Sequence, residues 1–150
     1  MSSTEFDLYI GSTASGEWAL VLKDANCSHC AVYTTKGRFN GAHTVPTFNH
    51  VRLDNQIFES LDFESQRMIC TVAAVDDKVL NKAAAKIEPS ASQLYVVAVL
   101  ARLEKKGVVL KGTSKLYAKR VSSVVKLLDA ESRLARMCVA DTSMLSMCLA

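Results

Sequence analysis

An α/β fold with a mixed β-sheet is predicted for this chain by three observations on the order of its apolar residues. Residues 6–10 alternate in polarity, and two further strand-like segments follow with turn residues between them, which is typical of an antiparallel meander. Residues 68–75 form a continuous apolar run, as expected for a strand buried on both faces of a sheet. Beyond that run, apolar residues recur at helical spacing.

The opening meander is predicted to have three strands. Residues 6–10 form the first, the apolar run 18–22 the second, and residues 29–35, with their β-branched threonines, the third. The small polar loop 11–16 resembles a phosphate-cradling loop in composition. Because it precedes a strand instead of a helix and lacks the lysine of a P-loop, we interpret it as a hairpin turn.

The middle of the chain is predicted to contain a loop, a helix and a fourth strand. The segment 39–50 contains Gly41 and Pro46, which favours a loop or an irregular edge segment. A short first helix is predicted next, because four apolar residues recur with helical spacing: Leu53, Ile57, Phe58 and Leu61. The run 68–75 then forms the fourth strand, which ends at Asp76.

Two amphipathic helices are predicted after the fourth strand. The first is capped by Asp76 and ends before Pro89, since proline cannot continue a helix. The second begins at a capping box in residues 90–93 and ends at Gly107.

A strand, a helix and an apolar tail complete the predicted organisation. Residues 108–110 are predicted to be a short buried strand, and a final helix is predicted to begin at Thr113 or Ser114 and to extend to Met137. Residues 144–150 form an apolar tail that is a candidate contact with the body of the protein or with another subunit.

The composition predicts one domain spanning residues 1–150. The chain is 49% hydrophobic and 22% charged, which is enough apolar material for a core. Residues 1–7 lack the features of a secretory signal, and the longest apolar run, 94–103, is shorter than the roughly 20 residues of a membrane span. Five cysteines, an odd number, argue against a disulfide framework. We therefore expect a cytoplasmic or otherwise intracellular protein with reduced thiols and no membrane contact.

The predicted order of elements is strand, strand, strand, helix, strand, helix, helix, strand, helix. This order resembles the ribonuclease H-like superfamily over nearly the whole chain. The resemblance implies a ribonuclease H-like mixed sheet, with a three-stranded antiparallel meander followed by parallel strands and helices. In that superfamily, carboxylates on the first strand, the first helix, the fourth strand and the last helix hold two divalent ions about 4 Å apart.

The resemblance implies Asp7, Glu59 and Asp76 as catalytic carboxylates of a nuclease that uses Mg²⁺ or Mn²⁺. Asp76 matches the family pattern because it follows the fourth strand. The first strand departs from it, since Ile10 stands where the family has an aspartate before the Gly-Ser turn, and Asp54 competes with Glu59 for the helix position. Because two metal ions need several converging carboxylates, these departures favour a pseudoenzyme that needs no cofactor, in which Asp76 is a helix cap and Asp7 an exposed strand residue.

A basic stretch provides the candidate nucleic-acid interface. Residues 102–126 contain eight cations and a single acid. The candidate binding residues are Lys105, Lys106, Lys111, Lys115, Tyr117, Lys119 and Arg120. Lys115 and Lys119 share a helix face, and Tyr117 is a candidate for base stacking. A solvated basic helix without a ligand is the alternative interpretation.

The segment Cys27-Ser28-His29-Cys30 has the spacing with which two thiolates bind one zinc ion. A structural zinc site needs four ligands, and only His43 and His50 could complete it. We therefore favour a polar turn with one buried thiol and predict no metal site.

Three functional hypotheses follow from the sequence. The first is a domain that binds nucleic acid through a basic face with little or no catalysis. The second is a divalent-metal-dependent nuclease. The third is a structural or protein-interaction domain that self-associates through the tail 144–150.

Overall fold

The computed structural model describes residues 5–38, 46–131 and Leu134. The strands within these residues are β1 (Glu5–Ser12), β2 (Trp18–Asp24), β3 (His29–Arg38), β4 (Thr47–Ile57) and β5 (Ser65–Ala73). The helices are α1 (Asp77–Lys86), α2 (Ser92–Lys105), α3 (Thr113–Ala118) and α4, which is described over residues 123–131. Single 3₁₀ turns at Phe58–Ser60 and Ala74–Asp76 follow β4 and β5.

The five strands form one antiparallel sheet in the order β4-β3-β2-β1-β5. The α/β composition and the meander of β1, β2 and β3 are confirmed. The predicted ribonuclease H-like mixed sheet is wrong, because β5 lies beside β1 but runs antiparallel to it. An apolar run marks a strand without fixing its direction. Here β4 ends at the end of the sheet where β1 begins, and residues 58–64 cross to the opposite end before β5 starts, so β5 runs antiparallel to β1.

The predicted loop and first helix are replaced by β4. This strand pairs with β3 from Thr47 opposite Arg38 to Ile57 opposite His29. The β3 edge offers a row of backbone donors and acceptors that β4 satisfies, and this pairing overrides the helical spacing of the local sequence. Of the predicted helix, only residues 58–60 are helical, as a 3₁₀ turn.

One face of the sheet packs against the helices, and we call it the helix face. Alternate residues of the strands point into this core, because side chains alternate between the faces of a strand. Its buried side chains include Leu8, Ile10, Trp18, Leu20, Leu22, Tyr33 and Val72 from the strands and Leu80, Tyr95, Val96, Val99, Leu100 and Leu103 from the helices. The predicted helices α1 and α2 are both confirmed.

Polar side chains attach the start of α2 to the rest of the domain. The Gln93 side chain is buried, and its Nε2 donates to the carbonyl of Gly16 (2.6 Å) while its Oε1 accepts from the backbone N–H of Ser122 (2.8 Å). Ser92 Oγ accepts from the backbone N–H of Trp18 at 3.0 Å. The predicted capping box is wrong, because these side chains bond to other elements and Ala91 occupies the N-cap position.

The opposite face of the sheet is covered by residues 58–64, which we call the diagonal segment. The segment starts with a hydrogen bond from Phe58 N to Ser28 O (2.8 Å) and ends with one from Glu64 N to Ser12 O (2.9 Å). Its apolar residues Phe58, Leu61 and Phe63 pack against a small buried cluster of Ala19, Val21, Cys30 and Val32. The segment thereby connects β4 to β5 and closes this face.

The carboxyl-terminal part also differs from the prediction. Residues 108–110 are not in a strand, and Leu110 is 81% exposed. The predicted final helix is divided, since α3 ends at Ala118 and helical structure resumes only at residue 123. The predicted tail 144–150 lies outside the described residues.

Candidate nucleic-acid interface

The three carboxylates proposed for a nuclease lie on different elements. Asp7 is on β1, on the face away from the helices, and lies opposite Lys23 of β2 in the strand register. Glu59 is on the diagonal segment, where its Oε1 accepts a hydrogen bond from Ser28 Oγ (3.0 Å). Asp76 is at the N-cap position of α1 but makes no side-chain capping hydrogen bond. Within residues 5–38 and 46–131, no group of three or more His, Cys, Asp or Glu side chains could hold a metal ion.

The two cysteines of the candidate zinc motif have different environments. Cys27 is exposed in the turn before β3, whereas Cys30 is buried in the cluster beneath the diagonal segment. Burial, with a contribution from the Glu59 carboxylate, raises the pKa of the Cys30 thiol. A neutral, buried thiol agrees with the interpretation of Cys30 as a packing residue.

Three of the predicted basic residues line three different cavities. Lys106 lines a groove between α1 and α2, Lys115 lines a cavity beside Asp129, and Arg120 lines a third cavity. The remaining cations of the set, Lys105, Lys111 and Lys119, are exposed.

Tyr117, the predicted stacking residue, belongs to the core. Its side chain is 5% exposed, and its ring meets the ring of Trp18 edge-on with 6.4 Å between centroids. The ring therefore contributes to packing between α3 and β2 and does not present a free face to solvent.

A groove between α1 and α2 is lined mainly by cations. Its volume is about 330 Å³, and four cations line it: Lys82, Lys86, Arg102 and Lys106. The other lining residues are Val79 and Ala83, so no acid contributes to the lining. All four cationic side chains are exposed. We call this feature the basic groove.

Helical periodicity explains how the basic groove forms. Lys82 and Lys86 are four residues apart on α1, and Arg102 and Lys106 are four residues apart at the end of α2. Residues with this spacing lie one above the other on one helix face. Since Leu80 and the inner face of each helix are buried in the core, the cations are left on the two solvent-facing edges that meet at the groove.

The one acid of α2 is turned away from the basic groove. A carboxylate oxygen of Glu104 accepts a hydrogen bond from the backbone N–H of Ser114, at the start of α3. This hydrogen bond holds the pKa of Glu104 below its usual range, and the nearby Lys115 ammonium acts in the same direction. Glu104 is therefore hydrogen-bonded to the start of α3 and is not among the residues that line the groove.

Sequence reasoning missed three of the four groove cations. The candidate set included Lys106 but not Lys82, Lys86 or Arg102. The lysines at 78, 82 and 86 repeat every four residues within a correctly predicted helix, and this signal could have identified the α1 side of the groove. The convergence with α2 depends on how the two helices pack.

An apolar face is exposed on α4 and just beyond it. Val124, Leu127, Leu128 and Leu134 are between 56% and 64% exposed. Residues 124, 127 and 128 have the spacing of one helix face. In the described part of the chain, no helix is long and apolar enough to cross a membrane.

Comparisons with protein-family models, curated proteins and solved structures returned no match to this chain. Functional inference therefore rests on the geometry and charge of its own residues.

Proposed function

We propose that this domain binds nucleic acid through the basic groove between α1 and α2. The observation that carries the proposal is the convergence of Lys82, Lys86, Arg102 and Lys106 on one groove whose lining contains no acid. Like charges held close together raise the local potential and attract a polyanion, because binding releases the counterions condensed on its phosphates.

The groove is suited to the phosphate backbone more than to the bases. Lysine ammonium groups on flexible stems and an arginine guanidinium are the usual phosphate ligands of proteins. None of the residues lining the groove is aromatic, so base stacking is not available within it. We therefore expect binding that depends weakly on sequence and strongly on salt.

The salt dependence gives a quantitative expectation. Contact between four cations and four phosphates predicts a slope of log K against log salt of about −3.6 for duplex DNA and about −2.8 for a single strand. A slope close to zero would mean that the phosphates are not the main contact.

The test compares two pairs of lysines by fluorescence anisotropy with labelled single strands, duplexes and RNA–DNA hybrid. Lys82→Gln with Lys86→Gln removes two cations from the groove, and we expect the affinity to fall by about tenfold and the salt slope to become shallower by about two. Lys115→Gln with Lys119→Gln removes the same charge from the surface of α3. Lys36→Gln on β3 serves as the control for a lysine outside both surfaces. A larger loss in the Lys115 and Lys119 variant would place the contact on α3 and contradict the groove.

The same probes address cleavage. With manganese present, we expect the probe to keep its length, because Asp7, Glu59 and Asp76 do not form a group that could hold a metal ion. Shortening of the probe that disappears in Asp76→Ala would favour the nuclease hypothesis instead.

A second candidate function is self-association through α4. Its exposed apolar residues, Val124, Leu127 and Leu128, would be buried against the same face of a second copy, since a two-fold interface pairs a surface with itself and needs no complementary charge. Leu127→Lys with Leu128→Lys should reduce the sedimentation coefficient to that of a monomer, whereas Lys126→Ala on the same helix should not. Unchanged sedimentation of the first variant would exclude this interface.

A further inference from the structure

The cavity lined by Arg120 is smaller than the basic groove and lies where the end of β1 and the start of β5 meet α3. Its volume is about 150 Å³, and its polar and aromatic lining consists of Ser12, Ser65, Arg67, Arg120, Trp18 and Tyr117. We call it the arginine pocket. It is separate from the basic groove, with which it shares no lining residue.

A register shift between β1 and β5 places Arg67 in this pocket. Leu8 is opposite Cys70, but the next residue, Tyr9, is opposite Met68, so Ile69 has no partner on β1. A bulge of this kind shifts the pairing on one side of it by one residue, which changes the sheet face on which those residues lie. As a result Arg67 lies opposite Ile10, on the helix face, instead of opposite Gly11 on the other face.

Arg120 enters the pocket from the other side and is held by an aromatic ring. Its guanidinium carbon lies 5.4 Å from the centroid of the Tyr117 ring, which itself packs edge-on against Trp18. A cation within about 6 Å of the centroid of an aromatic ring is attracted to the ring face. The contact with Tyr117 therefore favours a position of the Arg120 side chain at the pocket.

The charge of the arginine pocket is not compensated within the described residues. Neither Arg67 nor Arg120 forms an ion pair with a residue in the ranges 5–38 and 46–131, and no acid lines the pocket. Glu64, next to Ser65 in sequence, lines a different cavity together with Asp62. Two guanidinium groups and two hydroxyls thus face a shared space, which is the donor set that recognises an oxyanion.

The size of the pocket limits the anion. Pockets for drug-sized ligands have volumes of at least about 300 Å³, roughly twice the volume found here. A tetrahedral oxyanion fits, and its several acceptor oxygens can engage two guanidinium forks and the hydroxyls of Ser12 and Ser65 at once. We propose that the arginine pocket binds a single phosphate group, either as inorganic phosphate or as the terminal phosphate of a monoester.

The test is a titration of the full chain with inorganic phosphate at constant ionic strength, in which isothermal titration calorimetry measures the affinity. Arg67→Gln removes one guanidinium from an exposed side of the pocket and should weaken phosphate binding by about tenfold or more. Arg120→Lys keeps the charge but loses the planar fork, and it should weaken binding by several-fold. Arg38→Gln, an exposed arginine at the end of β3, is the matched control, and thermal unfolding of each variant confirms that it is folded.

Equal phosphate affinity in the wild type, Arg67→Gln and Arg120→Lys would overturn the proposal, as would absence of phosphate binding by the wild type. Because this titration uses inorganic phosphate alone, its result does not depend on whether nucleic acid binds the basic groove. Competition by a single strand with a 5′-phosphate, but not by the same strand with a 5′-hydroxyl, would identify a nucleic-acid end as the source of the group. Phosphate binding without such a difference would identify a small phosphate compound.

Discussion

The two faces of the sheet are closed by very different means. The helix face is covered by α1, α2 and α3 and contains most of the large buried side chains, whereas the opposite face is covered by the seven-residue diagonal segment. Neighbouring residues of one strand can therefore lie in unequal cores, as Leu20 and Val21 of β2 do. The comparison shows that a segment of seven residues can close a sheet face when the strands beneath it carry small residues, here Gly11 and Ala19.

The largest expected effect compares Leu20→Ala with Val21→Ala. Both side chains are fully buried, but Leu20 packs among the helices and Val21 beneath the diagonal segment. Leu20→Ala should lower the free energy of unfolding by about 2–5 kcal/mol, since the helix core cannot collapse into the cavity. Val21→Ala should cost about 1.6 kcal/mol, near the transfer value of two methylene groups, because the diagonal segment can relax. Urea denaturation measures both, and a greater cost for Val21→Ala would refute the proposed inequality.

A smaller effect is expected from Gly11→Ala, which tests the diagonal segment directly. A Cβ atom at Gly11 would lie 2.8 Å from ring carbons Cδ2 and Cγ of Phe63, so the segment must move. Overpacking of this kind should destabilise the protein by about 1–3 kcal/mol.

The matched control for that change is the double variant with Phe63→Leu. If the ring is the source of the clash, a double-mutant cycle should show that Gly11→Ala costs less when residue 63 is leucine. Additive effects of the two substitutions would mean that Phe63 is not the obstacle.

The smallest effect near neutral pH is expected from Tyr95→Phe on the helix face. The Tyr95 hydroxyl donates to the carbonyl of Ala84 at 2.5 Å, and its loss should cost about 1 kcal/mol. Burial, with a contribution from the nearby Tyr33, raises the pKa of Tyr95 to about 12. A raised pKa favours the neutral phenol in the folded state, so its stabilising contribution is complete below the unfolded value of about 10 and is lost as pH rises towards 12.

Urea denaturation between pH 9 and about 12 measures this dependence. Wild-type stability should fall over that interval, and Tyr95→Phe should fall less steeply because one ionisable phenol is gone. Burial also raises the pKa of Tyr33 to about 12, so part of the decline should remain in the variant. Identical slopes for the two proteins would contradict the assignment to Tyr95.

The elements that sequence reasoning located correctly are those whose periodicity agrees with their packing. In β1, β2, α1 and α2 the apolar residues face the core at the spacing of the element they belong to. The prediction failed for β4, where Leu53 and Ile57 have helical spacing yet lie nearly half exposed on an edge strand. An edge strand has one partner and little burial, so its own pattern is weak and the pairing with β3 decides its structure.

The candidate binding residues also could be predicted only in part from the sequence. The excess of cations was visible in the sequence, and Lys106 and Arg120 were among the candidate residues. Their separation into the basic groove and the arginine pocket was not visible, because Lys82 and Arg67 come from elements that are distant in sequence from them. Helix packing brings Lys82 to Lys106, and a register shift in β5 brings Arg67 to Arg120.

The sequence by itself determined the α/β composition, the three-stranded meander, two amphipathic helices and the concentration of positive charge after residue 100. Each of these is a local property: the spacing of apolar residues predicts the strands and helices, and the number of charged residues in a segment gives its net charge. The tertiary structure alone decided the direction of β5, the pairing of β4, the path of residues 58–64 and the grouping of the cations. These features depend on which strands and side chains that are far apart in the sequence come into contact. Local sequence patterns carry no information about those contacts.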